Sequence, residues 1–370
     1  MSNYSKIHAA RTSIWLDDLS RAALRDDSDV SLRDDISKRN VVGVTTNPSI
    51  FAAALADGKS YRDDIAKLKA AGSTSVEDVA MSLMITDVQR ACDVLADVYE
   101  ESDGKDGRVS LEVDPRLAHD TKGTIQQARM LFKAVDRPNV MVKIPATDAG
   151  LPAIRRAISE GISINATLIF SPDRYRAVVD AYIDGLRHAQ RNGVNLRNIR
   201  SVASVFISRT DSAVDELLDE LESQGVSEAA DYRGQVGIAV GRTCYGIYEE
   251  VFSQPRYREL HKANKQRPLW ASTGVKDPAY PPTHYVTNLV GPNTVNTMPR
   301  ATLNAIGELD DVPRDSIRPA IADANRVLSG VEELGVDLTE IFARLEREGV
   351  EKFIASWEDL LAVVAEQMEA

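Results

Sequence analysis

A single lysine stands inside an apolar, β-branched stretch of the sequence, residues 139–147. Read with the period of two of a β-strand, Val142 and Ile144 fall on one face, and Met141 and Lys143 fall on the other. Burying an ammonium group without a partner costs several kcal/mol, and the usual escape is loss of its proton. A neutral amine that points into a cavity can form a Schiff base with a carbonyl. On this stretch alone, a lysine that reaches solvent from a strand end is an equal alternative.

Two carboxylates occupy comparable places in other strand-like stretches. Asp17 lies within the predicted strand 13–19, on the same face as Trp15, and Glu112 lies on the polar face of 108–114. An iminium at C2 of a ketose withdraws electrons, so the C3–C4 bond can break once a base removes the proton of the C4 hydroxyl. Two carboxylates in different surroundings could divide these proton transfers between them. Each acid could instead belong to a structural ion pair.

The elements that must position these groups are short strands separated by helical stretches. That alternation predicts an α/β fold, a (β/α)8 TIM barrel with additional helices. A doubly wound open sheet would favour a glycine-rich turn after the first strand, and Asp17-Asp-Leu-Ser is not one. The predicted strands are 13–19, 41–47, 108–114, 139–147, 162–170, 201–208, 268–274 and 284–290.

The distribution of polar residues supports the barrel. One face of most strands is apolar, as helix-covered outer faces must be, and polar residues lie on the opposite face near the strand ends. We expect them at the C-terminal mouth, where some could orient sugar hydroxyls and a catalytic water. Any one of them could merely satisfy buried backbone groups. These residues are Asp17, Asn47, Glu112, Lys143, Asn165, Thr167, Ser204 and Ser272.

The sequence predicts a single domain. Residues 1–297 would form the catalytic barrel, including a long helical insertion over 48–107. Residues 298–370 show only helical periodicity and are expected to pack on the barrel as a C-terminal extension of the same domain.

Composition excludes several classes of function. The net charge of −12 argues against a general nucleic-acid or anionic-membrane partner, because both need a positive surface. Cys92 and Cys244 lack metal-ligand spacing and the five histidines are scattered, so we expect no metal and no cofactor. No run reaches the roughly 18 apolar residues of a membrane span, and the N-terminus lacks the apolar segment of a signal peptide. We therefore expect a cytoplasmic protein, either a monomer or a homodimer.

Four linked motifs carry a family resemblance. They are TTNPS at 45–49, LEVD at 111–114, VKIPAT at 142–147 and NATLIFS at 165–171. In this order and spacing they resemble the signature motifs of the transaldolases, in the long bacterial form. The resemblance implies transfer of a dihydroxyacetone unit from sedoheptulose 7-phosphate to glyceraldehyde 3-phosphate, giving erythrose 4-phosphate and fructose 6-phosphate in the non-oxidative pentose phosphate pathway.

The resemblance also implies roles for individual residues. Lys143 would form the Schiff base, Asp17 would be the acid/base in C–C cleavage, and Glu112 with Thr167 would hold a catalytic water. The positions that bind substrate hydroxyls match Asn47, Asn165 and Ser204. The runner-up function is a class I aldolase that releases free dihydroxyacetone, like fructose 6-phosphate aldolase, through the same lysine. A sugar-phosphate-binding barrel without turnover is the alternative from another class.

A phosphorylated substrate requires local positive charge in an acidic protein. Late βα loops often bind phosphate in these barrels; here Arg209 follows strand six, while Ser272 and Lys276 end strand seven. Many transaldolases carry an arginine two residues after the matching serine, but this chain has Gly274. We expect Arg209, Ser272 and Lys276 to bind the phosphate. Alternatively, Arg209 pairs with Asp211 and Lys276 lies on an unrelated loop.

Overall fold

Eight parallel strands close into a barrel in the order of the chain. The computed structural model describes residues 1–72 and 75–369. Each strand pairs with its sequence neighbours, and β8 closes the barrel against β1. The predicted (β/α)8 fold is confirmed. The strands are β1 (Thr12–Leu16), β2 (Val41–Val44), β3 (Arg108–Glu112), β4 (Val140–Pro145), β5 (Ile164–Ile169), β6 (Ser201–Phe206), β7 (Arg267–Ala271) and β8 (Thr294–Met298).

Helices surround the barrel, and some start with recognisable caps. Asn47 and Ser171 each accept a hydrogen bond from a backbone N–H of the first turn, and a proline follows each of them as the first helical residue. The helices are α1 (Asn3–Ala9), α2 (Leu32–Arg39), α3 (Pro48–Leu55), α4 (Gly58–Ala70), α5 (Val76–Val94), α6 (Ala96–Glu101), α7 (Thr121–Val135), α8 (Gly150–Ser159), α9 (Pro172–Arg191), α10 (Ser208–Ser223), α11 (Val236–Ser253), α12 (Pro255–Arg258), α13 (His284–Thr287), α14 (Arg300–Ile306), α15 (Ile321–Glu333) and α16 (Leu338–Glu369).

The core follows the alternation along the strands. Val142 and Ile144 belong to the large apolar cluster formed with the surrounding helices. Met141 and Trp15 belong to a separate cluster. Gly43 has no side chain because the Trp15 ring lies against it; a Cβ there would come within 2.6 Å of the indole. Alternate residues of one strand therefore serve two different cores.

The prediction for the eighth strand was wrong. Residues 284–290 form the single turn α13 and the loop after it, and β8 lies further on, at Thr294–Met298. The sequence of β8 lacks the apolar face expected of a barrel strand. The strand is buried all the same, because Asn296 and Thr297 make polar contacts inside the protein. The Asn296 side chain accepts a hydrogen bond from Thr273, and the Thr297 hydroxyl contacts that of Thr45.

A bulge interrupts β5 near its C-terminal end. The register against β6 shifts between Ala166 and Ile169, and Leu168 has a φ of 59°, in the left-handed region. An extra residue of this kind bends a strand and changes where its side chains point. The bulge follows Thr167 directly, so it lies beside one of the predicted site residues.

Helix α16 begins forty residues after β8 and crosses the mouth of the barrel. It packs against α3, α4, α5, α10 and β5. Gly349 allows a close approach, since a Cβ at that position would lie 3.1 Å from the Leu168 side chain of β5. Met298 is the last residue of β8, one residue beyond the predicted end of the barrel; the division of the chain at residues 297 and 298 stays a prediction.

Candidate active site

A lysine and a glutamate form a buried pair at the centre of the barrel. The strands β3 and β4 pair in register, which places Glu112 opposite Lys143. The Lys143 Nζ lies 3.0 Å from Glu112 Oε2 and donates a hydrogen bond to the Thr46 carbonyl oxygen at 3.1 Å. The side chains are only 6% and 2% exposed. A charged pair is thus held out of solvent, in an environment that disfavours both charges.

Burial changes the acidity of Glu112. It raises the pKa of this carboxyl to about 7, and the positive charge of Lys143 opposes part of the rise. Neither carboxylate oxygen accepts a well-aligned hydrogen bond from a described residue, so the contact with Lys143 is an ion pair by distance. A carboxyl group with this pKa can exchange a proton near neutral pH.

Asp17 is a second acid near the same lysine. It follows β1 and accepts a hydrogen bond of 2.6 Å from the Thr45 hydroxyl. Burial raises the pKa of Asp17, while the charge of Lys143 and the Thr45 hydrogen bond act against the rise. The two acids therefore differ in their surroundings: Glu112 contacts the amine directly, and Asp17 is held by a hydroxyl.

A cavity of about 910 Å³ opens above the lysine. Its wall brings together most of the side chains that the sequence singled out. Glu112 and Asn165 are both buried and are not part of this wall. The predicted residues that line it are Asp17, Asn47, Lys143, Thr167, Ser204, Arg209, Ser272 and Lys276.

The hydroxyl and amide groups of the site differ in whether they already have hydrogen-bond partners. Asn165 is fully buried, donates to the Ser110 hydroxyl at 3.0 Å and accepts from the Ser204 hydroxyl at 2.6 Å. It therefore positions Ser204 at the wall. Thr167 is also fully buried, but its hydroxyl has no hydrogen-bond partner among the described residues. Asn47 uses its side-chain oxygen to cap α3, at 3.1 Å from the Ile50 N–H.

Positive charge collects at one side of the cavity. Arg209 lies beside the Phe206 ring and has no ion pair with any residue of 1–72 or 75–369. Burial lowers the pKa of its guanidinium. The alternative pairing with Asp211 is not observed, since that carboxylate accepts a hydrogen bond from the Gly237 N–H instead. Ser272 follows β7, and its hydroxyl lies 2.9 Å from that of Ser208.

Helix α16 adds two residues that the sequence reading missed. The Phe353 ring is buried and its centre lies 5.3 Å from the Lys143 Nζ. Lys352 lines the cavity, and its pKa is lowered chiefly by the charge of Arg209, with burial and Lys276 adding to the effect. A Lys-Phe step in an amphipathic helix is ordinary, and nothing local in the sequence indicates that α16 returns to the mouth.

Among the described residues there is neither a metal-binding cluster nor a membrane-spanning helix. Over residues 1–72 and 75–369, no three His, Cys, Asp or Glu side chains are grouped closely enough to hold a metal ion. Among the helices described, none combines the length and apolar character needed to cross a membrane.

Comparison with known proteins gives the family. The family model for transaldolase/fructose-6-phosphate aldolase matches residues 14–364. The chain belongs to this family. A Mycobacterium tuberculosis transaldolase is 51% identical over 362 residues, covering 97% of this chain and 95% of that protein. A Thermobifida fusca transaldolase is 50% identical over 371 residues, covering 100% and 99%. Transaldolase 1 of Streptomyces coelicolor is 52% identical over 360 residues, covering 97% and 93%.

The resemblance read from the four motifs is thereby confirmed. The chain is an enzyme of the transaldolase family, whose substrates are sugar phosphates. Three of the transaldolase motifs meet at the buried pair: Lys143 and Glu112 come from two of them, and Thr46, which accepts the lysine hydrogen bond, comes from a third.

Proposed function

We propose that this enzyme transfers a dihydroxyacetone unit from sedoheptulose 7-phosphate to glyceraldehyde 3-phosphate through a Schiff base on Lys143. The products are erythrose 4-phosphate and fructose 6-phosphate. The observation that carries the proposal is the buried contact of 3.0 Å between Lys143 and a carboxyl group whose pKa is raised to about 7. Family membership supports the substrate class.

Schiff-base formation requires a neutral amine. A proton that passes from the Lys143 ammonium to the Glu112 carboxylate leaves an amine able to attack the C2 carbonyl. Return of the proton to the hydroxyl of the resulting carbinolamine releases water and leaves the iminium. Thr167 has a buried hydroxyl without a partner among the described residues, so it is available to hold this water together with Glu112.

Carbon–carbon cleavage is assigned to Asp17. Its carboxylate takes the proton of the C4 hydroxyl, and the C3–C4 bond breaks. The electron pair of that bond moves into the iminium as erythrose 4-phosphate leaves. Addition of glyceraldehyde 3-phosphate reverses these transfers, and hydrolysis of the new iminium frees fructose 6-phosphate. A group that both accepts and returns a proton benefits from a raised pKa, which burial gives Asp17.

Substrate positioning follows the same wall of the cavity. Asn47 and Ser204 would contact sugar hydroxyls, with Asn165 acting through its hydrogen bond to Ser204. The phosphate would lie among the basic residues, where Arg209 offers a planar pair of donors and the lysines add charge. The proposed phosphate-binding residues are Arg209, Ser272 and Lys276 from the barrel, together with Lys352 from α16.

Omission of the acceptor tests transfer against release. With fructose 6-phosphate alone, a transaldolase should stop once its lysine carries the dihydroxyacetone unit, because proton delivery to the carbanion is slow. Sustained formation of free dihydroxyacetone would instead support the aldolase reading. The measurement is enzymatic detection of dihydroxyacetone with and without glyceraldehyde 3-phosphate, and Lys143→Ala provides the background.

The cellular setting is part of the proposal. We place the enzyme in the cytoplasm, acting without a cofactor. The two cysteines are buried free thiols, which fits a reducing compartment. Whether it works as a monomer or a homodimer stays a prediction.

A further inference from the structure

A second cavity, of about 300 Å³, lies at the opposite end of the barrel from Lys143. Its position follows from its lining, since Ser201 and Arg267 are the first residues of β6 and β7. Four cationic side chains face it, and no carboxylate is among its lining residues. The cations are Lys105, Arg200, Lys265 and Arg267.

The neighbouring acids do not balance these charges. Asp106 pairs with Arg267 at 2.8 Å and also accepts hydrogen bonds from Ser13 and Trp15, so its capacity is used within the barrel. Among the described residues, the one carboxylate paired with Arg200 is that of Asp103, at 3.7 Å, and it is fully exposed. In the part of the chain that the structure covers, Lys105 and Lys265 have no ion pair. Positive charge is therefore in excess here, in a chain of net charge −12.

Crowding of these cations has a visible electrostatic effect. Burial is the largest cause that lowers the pKa of Lys105. The charges of Arg267, Arg11 and Arg200 lower it further, and the charge of Asp106 acts against them. The Nε of Arg200 is buried and has no hydrogen-bond partner among the described residues. Like charges held together without an anion oppose folding, and an anion bound between them would remove that cost.

We propose that this basic pocket binds the phosphate group of a small phosphorylated metabolite, at a site separate from the catalytic cavity. Arg200 and Lys105 supply donors to the phosphate oxygens, and Lys265 adds charge at the rim. The rings of Trp15 and Tyr248 give the pocket an apolar wall against which a short carbon chain packs. The volume suits a small ester, at the lower end of known ligand cavities. Because the ligand binds the folded state, it stabilises the barrel from the end opposite the reaction.

The test is calorimetric titration with inorganic phosphate and, separately, glycerol 3-phosphate, at constant ionic strength. Arg209→Ala serves as the parent enzyme because it weakens anion binding in the catalytic cavity. We expect the parent to keep one site that accepts glycerol 3-phosphate. Adding Lys105→Gln and Lys265→Gln should weaken that site by at least about tenfold. The matched control, Lys122→Gln with Lys133→Gln on α7, removes the same charge from exposed positions and should bind as the parent does.

Other outcomes overturn the proposal. Equal binding by the pocket variant and its parent would show that the phosphate lies elsewhere, and binding of inorganic phosphate alone would overturn the assignment to a phosphate ester.

A thermal unfolding scan in chloride separates binding from structure. Lys105→Gln should keep or raise the melting temperature, because it relieves repulsion, whereas a fall would mean that Lys105 is structural. Turnover of Lys105→Gln in the otherwise native enzyme should stay unchanged.

Discussion

At the scale of single residues, the Lys143–Glu112 pair shows function placed above stability. A buried ion pair seldom stabilises a protein relative to apolar residues of the same volume, because desolvating both charges costs as much as their attraction returns. Here the cost appears as the raised pKa of Glu112, about 7. The benefit is chemical, since the lysine can lose its proton to a neighbour 3.0 Å away.

We predict that kcat/KM rises with pH through about 7 and that Glu112→Gln removes this limb. Below pH 7 the raised pKa of Glu112 means that this carboxyl group holds a proton, so no carboxylate is available to accept one from Lys143. Glu112→Gln should also slow turnover by roughly 10²-fold or more, the usual scale for lost acid/base catalysis. The measurement is a pH–rate profile of both enzymes with saturating acceptor.

Asp17→Asn is the matched control for this pH profile. It removes an acid of the same cavity and should slow turnover on a similar scale, roughly 10²-fold. It leaves Glu112 in place, so the limb near pH 7 should persist. If the limb survives in Glu112→Gln, or disappears only in Asp17→Asn, then Glu112 is not the group that titrates near pH 7.

At the scale of elements, the ends of β5 and β7 hold residues in a costly backbone conformation. Leu168 and Ser272 have φ values of 59° and 53°, and such positions cost a residue with a Cβ about 1 kcal/mol or more. Both lie where strands meet the catalytic cavity. Ser272 therefore offers a direct comparison of stability and binding.

Ser272→Gly should raise the free energy of unfolding by up to about 1 kcal/mol while raising KM for fructose 6-phosphate. Glycine relieves the left-handed conformation, but the hydroxyl proposed to bind phosphate is lost. Ser272→Ala loses the same hydroxyl and keeps the Cβ, so it should show the higher KM without the gain in stability. Urea unfolding and steady-state kinetics measure the two effects. Equal stabilities of the two variants would refute the claim that the backbone at this position is strained.

Helix α16 belongs to the catalytic cavity as much as any strand. It brings Phe353 against Lys143 and Lys352 towards Arg209. The phosphate should therefore be held from two sides, by Arg209 at the start of α10 and by α16.

We predict that Arg209→Ala raises KM for fructose 6-phosphate by a factor worth about 1.5–3 kcal/mol, the range for a charged hydrogen bond. Lys352→Ala should raise it by about two- to fivefold, because an exposed charge contributes less. Unphosphorylated fructose should lose little in either variant. Glu351→Ala, at the exposed neighbouring position of α16, is the control and should behave as wild type. An equal loss on both donors would place the phosphate elsewhere.

At the scale of the whole molecule, the fold was predictable to the extent that its strands have alternating faces. The strands β1 to β7 each carry an apolar outer face that the sequence shows plainly. The strand β8 does not: Thr294, Asn296 and Thr297 form hydrogen bonds with Thr12 of β1 and with Thr45 and Thr273, which lie just after β2 and β7. Such partners are distant in the chain, so the more apolar residues 284–290 were mistaken for the eighth strand.

The candidate site likewise contains residues that the sequence predicted and residues that it did not. Residues at strand ends were predictable because parallel strands bring their C-terminal ends to one mouth, and the structure gathers them there. The direct contact between Glu112 and Lys143 was not predicted, although the register of β3 against β4 places the two residues opposite each other. Lys352 and Phe353 were not predictable, since their place depends on where a helix after β8 returns. The basic pocket at the other end depends likewise on side chains from several distant segments.

Trapping the intermediate tests the central claim that the whole barrel serves one nucleophile, Lys143. The enzyme is treated with borohydride in the presence of fructose 6-phosphate, digested, and examined by mass spectrometry. We predict a reduced three-carbon adduct on Lys143, none in Lys143→Ala, and no turnover by that variant. An adduct on a different lysine, or ample turnover by Lys143→Ala, would contradict the proposed mechanism.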